Sequence, residues 1–190
     1  MGAMDERVDD DVLVAQIRDA DSDSAFRQLF QRYVGPLLDF AQQLVHAPDL
    51  ADDIVADVFA ALWEQRKTLR IQSVRAYLFG AVRNRAYTVL HNARRSETWT
   101  TLFLTEERSP GLGEVIGDPE TLLDQEERRT TLMAAIAELP YRSRAVIWLR
   151  WINQLSFSEI AETMGTTEAA IRMQHSRALA QLRGRLEREK

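Results

Sequence analysis

The sequence predicts an all-α protein of two helical domains joined by an acidic flexible linker. Three observations carry that expectation. Apolar residues recur at helical spacing over most of the 190 residues, while strand-like alternation is scarce. The periodicity lapses between Ser96 and Asp124, where SPGLGEVIGDP gathers Ser, Pro and Gly in the manner of a tether. Charge is also sorted along the chain. Residues 1–63 hold 13 acids and 4 bases, 64–95 hold 1 acid and 8 bases, 96–127 hold 9 acids and 1 base, and 128–190 hold 6 acids and 11 bases. A long structureless stretch inside one compact domain is uncommon, so the lapse is read as a boundary. The expected divisions are a tail over 1–10, a first domain over 11–95, a linker over 96–124 and a second domain over 125–190. Within the tail, Met1 to Ala3 precede a second methionine at Met4 and are expected to be a cloning remnant.

In the first domain, SDSAFRQLFQRYVGPLLDFAQQLV places Phe26, Leu29, Phe30 and Tyr33 on one stripe, and Pro36 is expected to start or kink the next turn. PDLADDIVADVFAALWEQR makes a second helix. Asp49 is its expected cap, Asp52 and Asp53 suit its positive start, and Ile54, Val55, Val58, Phe59 and Leu62 face a core. SVRAYLFGAVRNRAYTVLHNARR makes a third. Its apolar side carries Tyr77 or Leu78, Ala81, Val82, Val89 and Leu90, leaving Arg83, Arg85, His91, Asn92, Arg94 and Arg95 on another face.

Helical spacing resumes at Leu122. EERRTTLMAAIAEL is followed by Pro140, suited to the first turn of YRSRAVIWLRWIN. Ser156 and Glu159 then form a capping box for a short helix that Gly165 can end in the left-handed conformation. Thr167 caps the next helix, whose inward positions are Ile171, Ala178 and Leu182, with His175 on the same stripe as a packed histidine. Thr167, Glu168, Arg172, Met173, Gln174 and Ser176 are left at its start or outer face, where a helix in the major groove meets base edges and phosphates. Two packed helices with a glycine turn have this shape for other reasons too.

Composition narrows the function classes. No run approaches the roughly 18 apolar residues of a membrane span, and no basic-then-apolar leader is present. With zero Cys there is neither a disulfide nor a thiolate nucleophile. No phosphate-binding glycine loop occurs, and His46, His91 and His175 are dispersed, so neither an enzyme nor a metal or cofactor site is expected. The net charge of -5 opposes unaided DNA binding, although two basic blocks suit phosphate. A soluble cytoplasmic protein that works on DNA with a partner reconciles these facts.

Two segments resemble the bacterial extracytoplasmic function (ECF) sigma factors, which keep only regions 2 and 4. The region 2 resemblance runs through AFRQLFQRYVGPLLDFAQQLV, LADDIVADVFAALWEQRKTL and VRAYLFGAVRNRAYTVL. The region 4 resemblance runs through AIAELPYRSRAVIWLR, LSFSEIAETMGTTEAAIR and SRALAQLR. The resemblance implies a subunit that directs core RNA polymerase to promoters and helps open them. Region 2 would dock on the polymerase clamp and capture the unwound element, and region 4 would read the duplex element upstream. Its implied partners are core RNA polymerase, promoter DNA and an anti-sigma factor. A stand-alone helix-turn-helix regulator and a pure interaction protein remain as alternatives.

By resemblance, Asp53, Asp57, Leu62, Trp63 and Gln65 fall at the polymerase contact, with Trp63 as an anchor if it protrudes. EQRKTLRIQS, with Arg66, Lys67 and Arg70, matches the loop that holds a flipped base, whose extraction needs compensating contacts. Arg75, Tyr77, Arg83, Asn84, Arg85, Tyr87, Thr88, His91, Asn92, Arg94 and Arg95 follow as strand and phosphate candidates. In region 4 the candidates are Thr167, Glu168, Ala169, Arg172, Met173, Gln174, Ser176 and Arg177. Thr88 and His91 stand where the family often has Asp and Arg, and Ala170, Gln174 and His175 stand where Thr or Ser, Arg and Leu are common. The acidic linker would thread the polymerase cleft as a mimic of nucleic acid, or serve as a solvated tether; Trp99, Phe103 and Leu104 suggest that its first part does more than float.

Overall fold

The computed structural model describes residues 8–95 and 129–187. All regular structure among them is helical, and the chain divides into two compact units, residues 1–92 and 93–190. The linker, with Trp99, Phe103 and Leu104, lies outside the described residues, as do Met1 to Ala3. No helix among the described residues is long and apolar enough to cross a membrane.

The first unit contains α1 (Asp10–Ala20), α2 (Asp23–Val45), α3 (Pro48–Gln65) and α4 (Val74–Arg95). The periodic pattern legible in the sequence starts at Ser22, so α1 is an element the sequence pattern does not announce. Asp10 and Asp11 favour the start of α1 and Arg18 its end, while Leu13 and Ile17 bury one stripe against α2. Arg32 and Tyr33 of α2 both bind the Asp10 carboxylate, which ties the first turn of α1 to its neighbour. Asp21 ends α1 at φ 50°, a left-handed conformation that Asp tolerates.

Ser22 then caps α2 by accepting from the Ala25 amide at 3.2 Å. One helix runs from Asp23 to Val45 with Pro36 inside it, so of the expected start or kink at Pro36 a new helix start does not occur. In α3 the cap position belongs to Ala47 with Pro48 at the first turn; Asp49 lies inside that turn and acts on the helix dipole instead. Phe40 of α2 and Phe79 of α4 meet edge to face at 5.4 Å in the middle of the core, a pairing worth about 0.5–1.5 kcal/mol beyond area burial. In α4 Leu78 is the buried member of the Tyr77–Leu78 pair. The buried set is Val74, Ala76, Leu78, Phe79, Gly80, Val82 and Ala86, and Val89 and Leu90 are only half-buried.

The second unit begins, among the described residues, with helical residues 129–137 (α5). It continues with α6 (Tyr141–Ile147), whose last turn widens into a π turn over Trp148–Ile152, then α7 (Phe157–Met164) and α8 (Glu168–Leu186). Pro140 sits at the cap of α6, one residue ahead of its expected place. Arg144 is buried and donates to the Ala137 carbonyl at 2.6 Å, satisfying an acceptor at the end of α5. The π turn, closed by the Asn153 amide on the Trp148 carbonyl at 3.1 Å, interrupts what the sequence pattern presents as ordinary helix. Leu149, Leu155, Ile160, Ile171, Ala178 and Leu182 form the core between α6, α7 and α8.

Candidate nucleic-acid interface

Helix α3 divides its residues cleanly by period. Asp52, Asp53, Asp57 and Gln65 are exposed, whereas Phe59 and Leu62 face inward. Leu62 is only 2% exposed and supports the helix from beneath, so it offers no surface to a partner. Trp63 does not protrude. It is half-buried, edge-on to Phe26 at 5.1 Å, and the Arg66 guanidinium lies over its ring at 4.4 Å.

The loop after α3 is the most basic stretch of the first unit, and part of its charge is neutralised from within. Arg66 Nε lies 2.6 Å from Asp21 Oδ1, and Lys67 Nζ lies 2.9 Å from Asp21 Oδ2. Lys67 first and Arg66 second hold the Asp21 carboxyl below the usual carboxylate range. Arg66 also donates to the Trp63 carbonyl at 2.6 Å. Arg70 is exposed, and Ser73 ends the loop by capping α4 at the Ala76 amide, 3.2 Å away.

Along α4, Arg75, Tyr77 and Arg83 are half-buried and Asn84, Arg85, Tyr87, Thr88, His91 and Asn92 are exposed. Burial pushes the Tyr77 hydroxyl up. Arg83 donates to the Asn84 side chain, and Thr88 Oγ1 donates to the Asn84 carbonyl at 3.0 Å. Tyr87, 58% exposed, stacks on His91 with the rings 6.0 Å apart and 11° from parallel, an open aromatic surface of the sort on which a base can lie. Arg85 reaches back to Asp57, which places it on the α3 side of the helix. A groove of about 510 Å³ lies there, lined by Ala60, Ala61 and Ala81 together with Glu64, Tyr77 and Asn84. The side chains of Arg94 and Arg95 lie outside those described.

In the second unit the capping box forms as expected. Glu159 N lies 3.2 Å from Ser156 Oγ, and Ser156 N lies 2.7 Å from Glu159 Oε2. Gly165 turns the chain at φ 62°, and Thr167 caps α8 at the Ala170 amide. This aims the start of α8 outward. Thr167, Glu168, Ala169, Arg172, Met173, Ser176 and Arg177 are exposed, and Gln174 is half-buried. Arg172 is steered by Glu168 at 2.5 Å and by the Phe157 ring at 4.6 Å.

His175 is packed, as its stripe position predicted, but it also has a partner that the sequence did not reveal. Trp151 Nε1 donates to His175 Nε2 at 3.0 Å, and Phe157 meets the imidazole edge to face at 5.3 Å. Burial first, then the Arg150 charge, lowers the His175 pKa. Trp151 remains 57% exposed beside α8, a surface aromatic for which the only sequence signal was its place after Arg150 in a stretch otherwise read as core helix. No cluster of His, Asp or Glu suited to a metal occurs among the described residues.

Residues 29–99 match the family described as Sigma-70 region 2, and residues 129–182 match Sigma-70, region 4. The ECF RNA polymerase sigma factor RpoE of Cereibacter sphaeroides is 27% identical over 180 residues, covering 94% of this chain and 95% of that protein. The ECF RNA polymerase sigma-E factor of Escherichia coli K12 is 28% identical over 179 residues, covering 92% and 93%. Among solved structures, CnrH in complex with the cytosolic domain of CnrY superposes with a TM-score of 0.67 at 24% identity, over 95% of this chain and 99% of that one. RpoE of Bartonella quintana, in complex with the anti-sigma factor NepR, also reaches 0.67, at 22% identity over 87% and 98%. These two likenesses concern the fold.

Proposed function

The chain belongs to the ECF group of the sigma-70 family and directs bacterial RNA polymerase to promoters; from that premise we propose how its residues divide the work. Asp53, Asp57 and Gln65 on the exposed face of α3 meet core polymerase, while Leu62 and Trp63 shape that face from within. Arg66, Lys67, Arg70 and the exposed side of α4, centred on Asn84, Tyr87 and His91, take the melted strand and so assist promoter opening. Thr167, Glu168, Ala169, Arg172, Met173, Ser176 and Arg177, with the half-buried Gln174, read duplex DNA from the start of α8.

One observation carries this reading: a basic loop and helix in one unit and a capped helix-turn-helix in the other occur in a single acidic chain. Polymerase then supplies the DNA affinity that the net charge of -5 withholds. A stand-alone helix-turn-helix regulator would leave the region 2 match, over residues 29–99, without a purpose. The protein acts in the cytoplasm, performs no catalysis of its own, and is held by an anti-sigma factor until released, as the Bartonella relative is held by NepR.

Titration of labelled full-length chain against bacterial core RNA polymerase, beside a titration against free duplex DNA, tests the reading. Tight binding to core with weak binding to duplex is expected. The reverse would leave a conventional DNA-binding regulator. Arg172→Ala with Gln174→Ala is expected to abolish promoter use while sparing core binding.

A further inference from the structure

We propose that Asp21 is a positioning residue of the single-strand site, an internal stand-in for phosphate that keeps Arg66 and Lys67 from capturing nucleic acid indiscriminately; this rests on the reading that their loop contacts the melted strand. Asp21 is well fixed for such a role. Its amide is bonded within the end of α1, to the Gln16 carbonyl, and Ser22 immediately caps α2, so the carboxylate projects from a junction anchored on both sides. Its two oxygens are divided between the two cations, Oδ1 to Arg66 at 2.6 Å and Oδ2 to Lys67 at 2.9 Å, as two phosphate oxygens would be.

The partner cations differ in freedom. Arg66 is also held by the Trp63 carbonyl and ring, whereas Lys67 is half-exposed at the end of a flexible stem. A strand that gains contacts elsewhere on α4 can displace so exposed a carboxylate. A phosphate alone gains little by the exchange, because one anion merely replaces another. The acidic first stretch of the chain thereby supplies the counterion for the basic stretch that follows it.

The test uses the full-length chain and a 20-nucleotide oligothymidine at low salt, read by anisotropy across a salt series. Asp21→Asn removes the charge and keeps a residue that tolerates the left-handed conformation, so an unchanged melting temperature is expected. Asp21→Asn should tighten binding several-fold and steepen the salt dependence by about 0.7 for each cation released to a phosphate. Asp19→Asn is the control, since it makes the same change in net charge two residues away, where the carboxylate pairs directly with Arg18 at 2.8 Å and reaches Lys67 and Arg70 only through space, so its effect should be the smaller. Adding Arg66→Ala and Lys67→Ala to Asp21→Asn should cancel the gain.

Equal behaviour of Asp21→Asn and Asp19→Asn, weaker binding by Asp21→Asn, or no measurable binding by either would overturn the proposal. Holoenzyme on forked DNA selected from a random pool separates this failure from that of the underlying reading. If Arg66→Ala/Lys67→Ala opens the fork normally, the loop does not serve the melted strand. If opening is lost and Asp21→Asn still matches its control, masking alone is rejected.

Discussion

Arg85 on α4 donates twice to one oxygen of Asp57 on α3, from Nη2 at 2.5 Å and from Nε at 2.9 Å. A carboxylate proposed to meet polymerase and a guanidinium that the family resemblance assigns to nucleic acid are therefore counterions of one another across the α3–α4 groove. Both side chains are 51% exposed, so solvent screens the pair and it contributes about 0.2–1 kcal/mol. Such a link is easily exchanged when either partner finds another.

The first prediction concerns that exchange. Asp57→Ala should weaken core-polymerase binding, and Arg85→Ala should strengthen it by about two- to threefold, because Asp57 no longer has a competitor worth about 0.5 kcal/mol. Anisotropy of labelled chain with core polymerase measures both. Weaker core binding by Arg85→Ala would show that Arg85 itself touches the polymerase.

Leu62 and Gln65 should separate stability from contact. Leu62→Ala, at a position only 2% exposed, is expected to cost about 2–5 kcal/mol of unfolding free energy in the first unit. Gln65→Ala, on the exposed side, should leave stability within about 0.5 kcal/mol and lower core affinity. Urea melts of each variant beside its core titration decide the matter.

The capping box is a local test of the second unit. Ser156→Ala leaves the Glu159 amide without its side-chain acceptor, and should destabilise that unit by about 1 kcal/mol. Polymerase binding through the first unit should be unaffected. A melting temperature equal to wild type would mean that water or a shifted helix start replaces the cap.

A pH dependence follows from His175. Burial and Arg150 lower its folded pKa below the ordinary 6.5, and the Trp151 indole donates to Nε2, which must be unprotonated to accept. The unfolded chain then binds the proton more readily. Stability of the second unit is full above about pH 6.5, falls as pH drops through the interval down to the folded pKa, and levels off below it. His175→Leu should remove that slope. Denaturation between pH 5 and 8, followed by tryptophan fluorescence, would show an unchanged slope in this variant if another group were responsible.

Much of the architecture is legible in the sequence because its signals are short in range. The Ser156 box, the Gly165 turn and the Thr167 cap each depend on residues within a few positions, and all three form as read. The stripe of α3 was equally plain, since a period of 3.6 places Ile54, Val55, Val58 and Leu62 together. Helix α1 was missed because its stripe, Leu13 and Ile17, is narrow within an acidic stretch, and its stability comes from Arg32 and Tyr33 on another helix. The run through Pro36 shows the same override, in which burial of Leu37 and Phe40 outweighs a local helix breaker.

Which side chains belong to the two proposed reading surfaces could be drawn from periodicity and charge blocks, because both are properties of neighbours along the chain. Which of those side chains stand ready for a partner could not. Asp21 and Arg66 are 45 residues apart, Asp57 and Arg85 are 28, and Trp151 and His175 are 24. Each pair exists only because helix packing brings distant segments within hydrogen-bond reach. Ionic and polar partnerships of that length leave no periodic trace, so the folded geometry alone selects them.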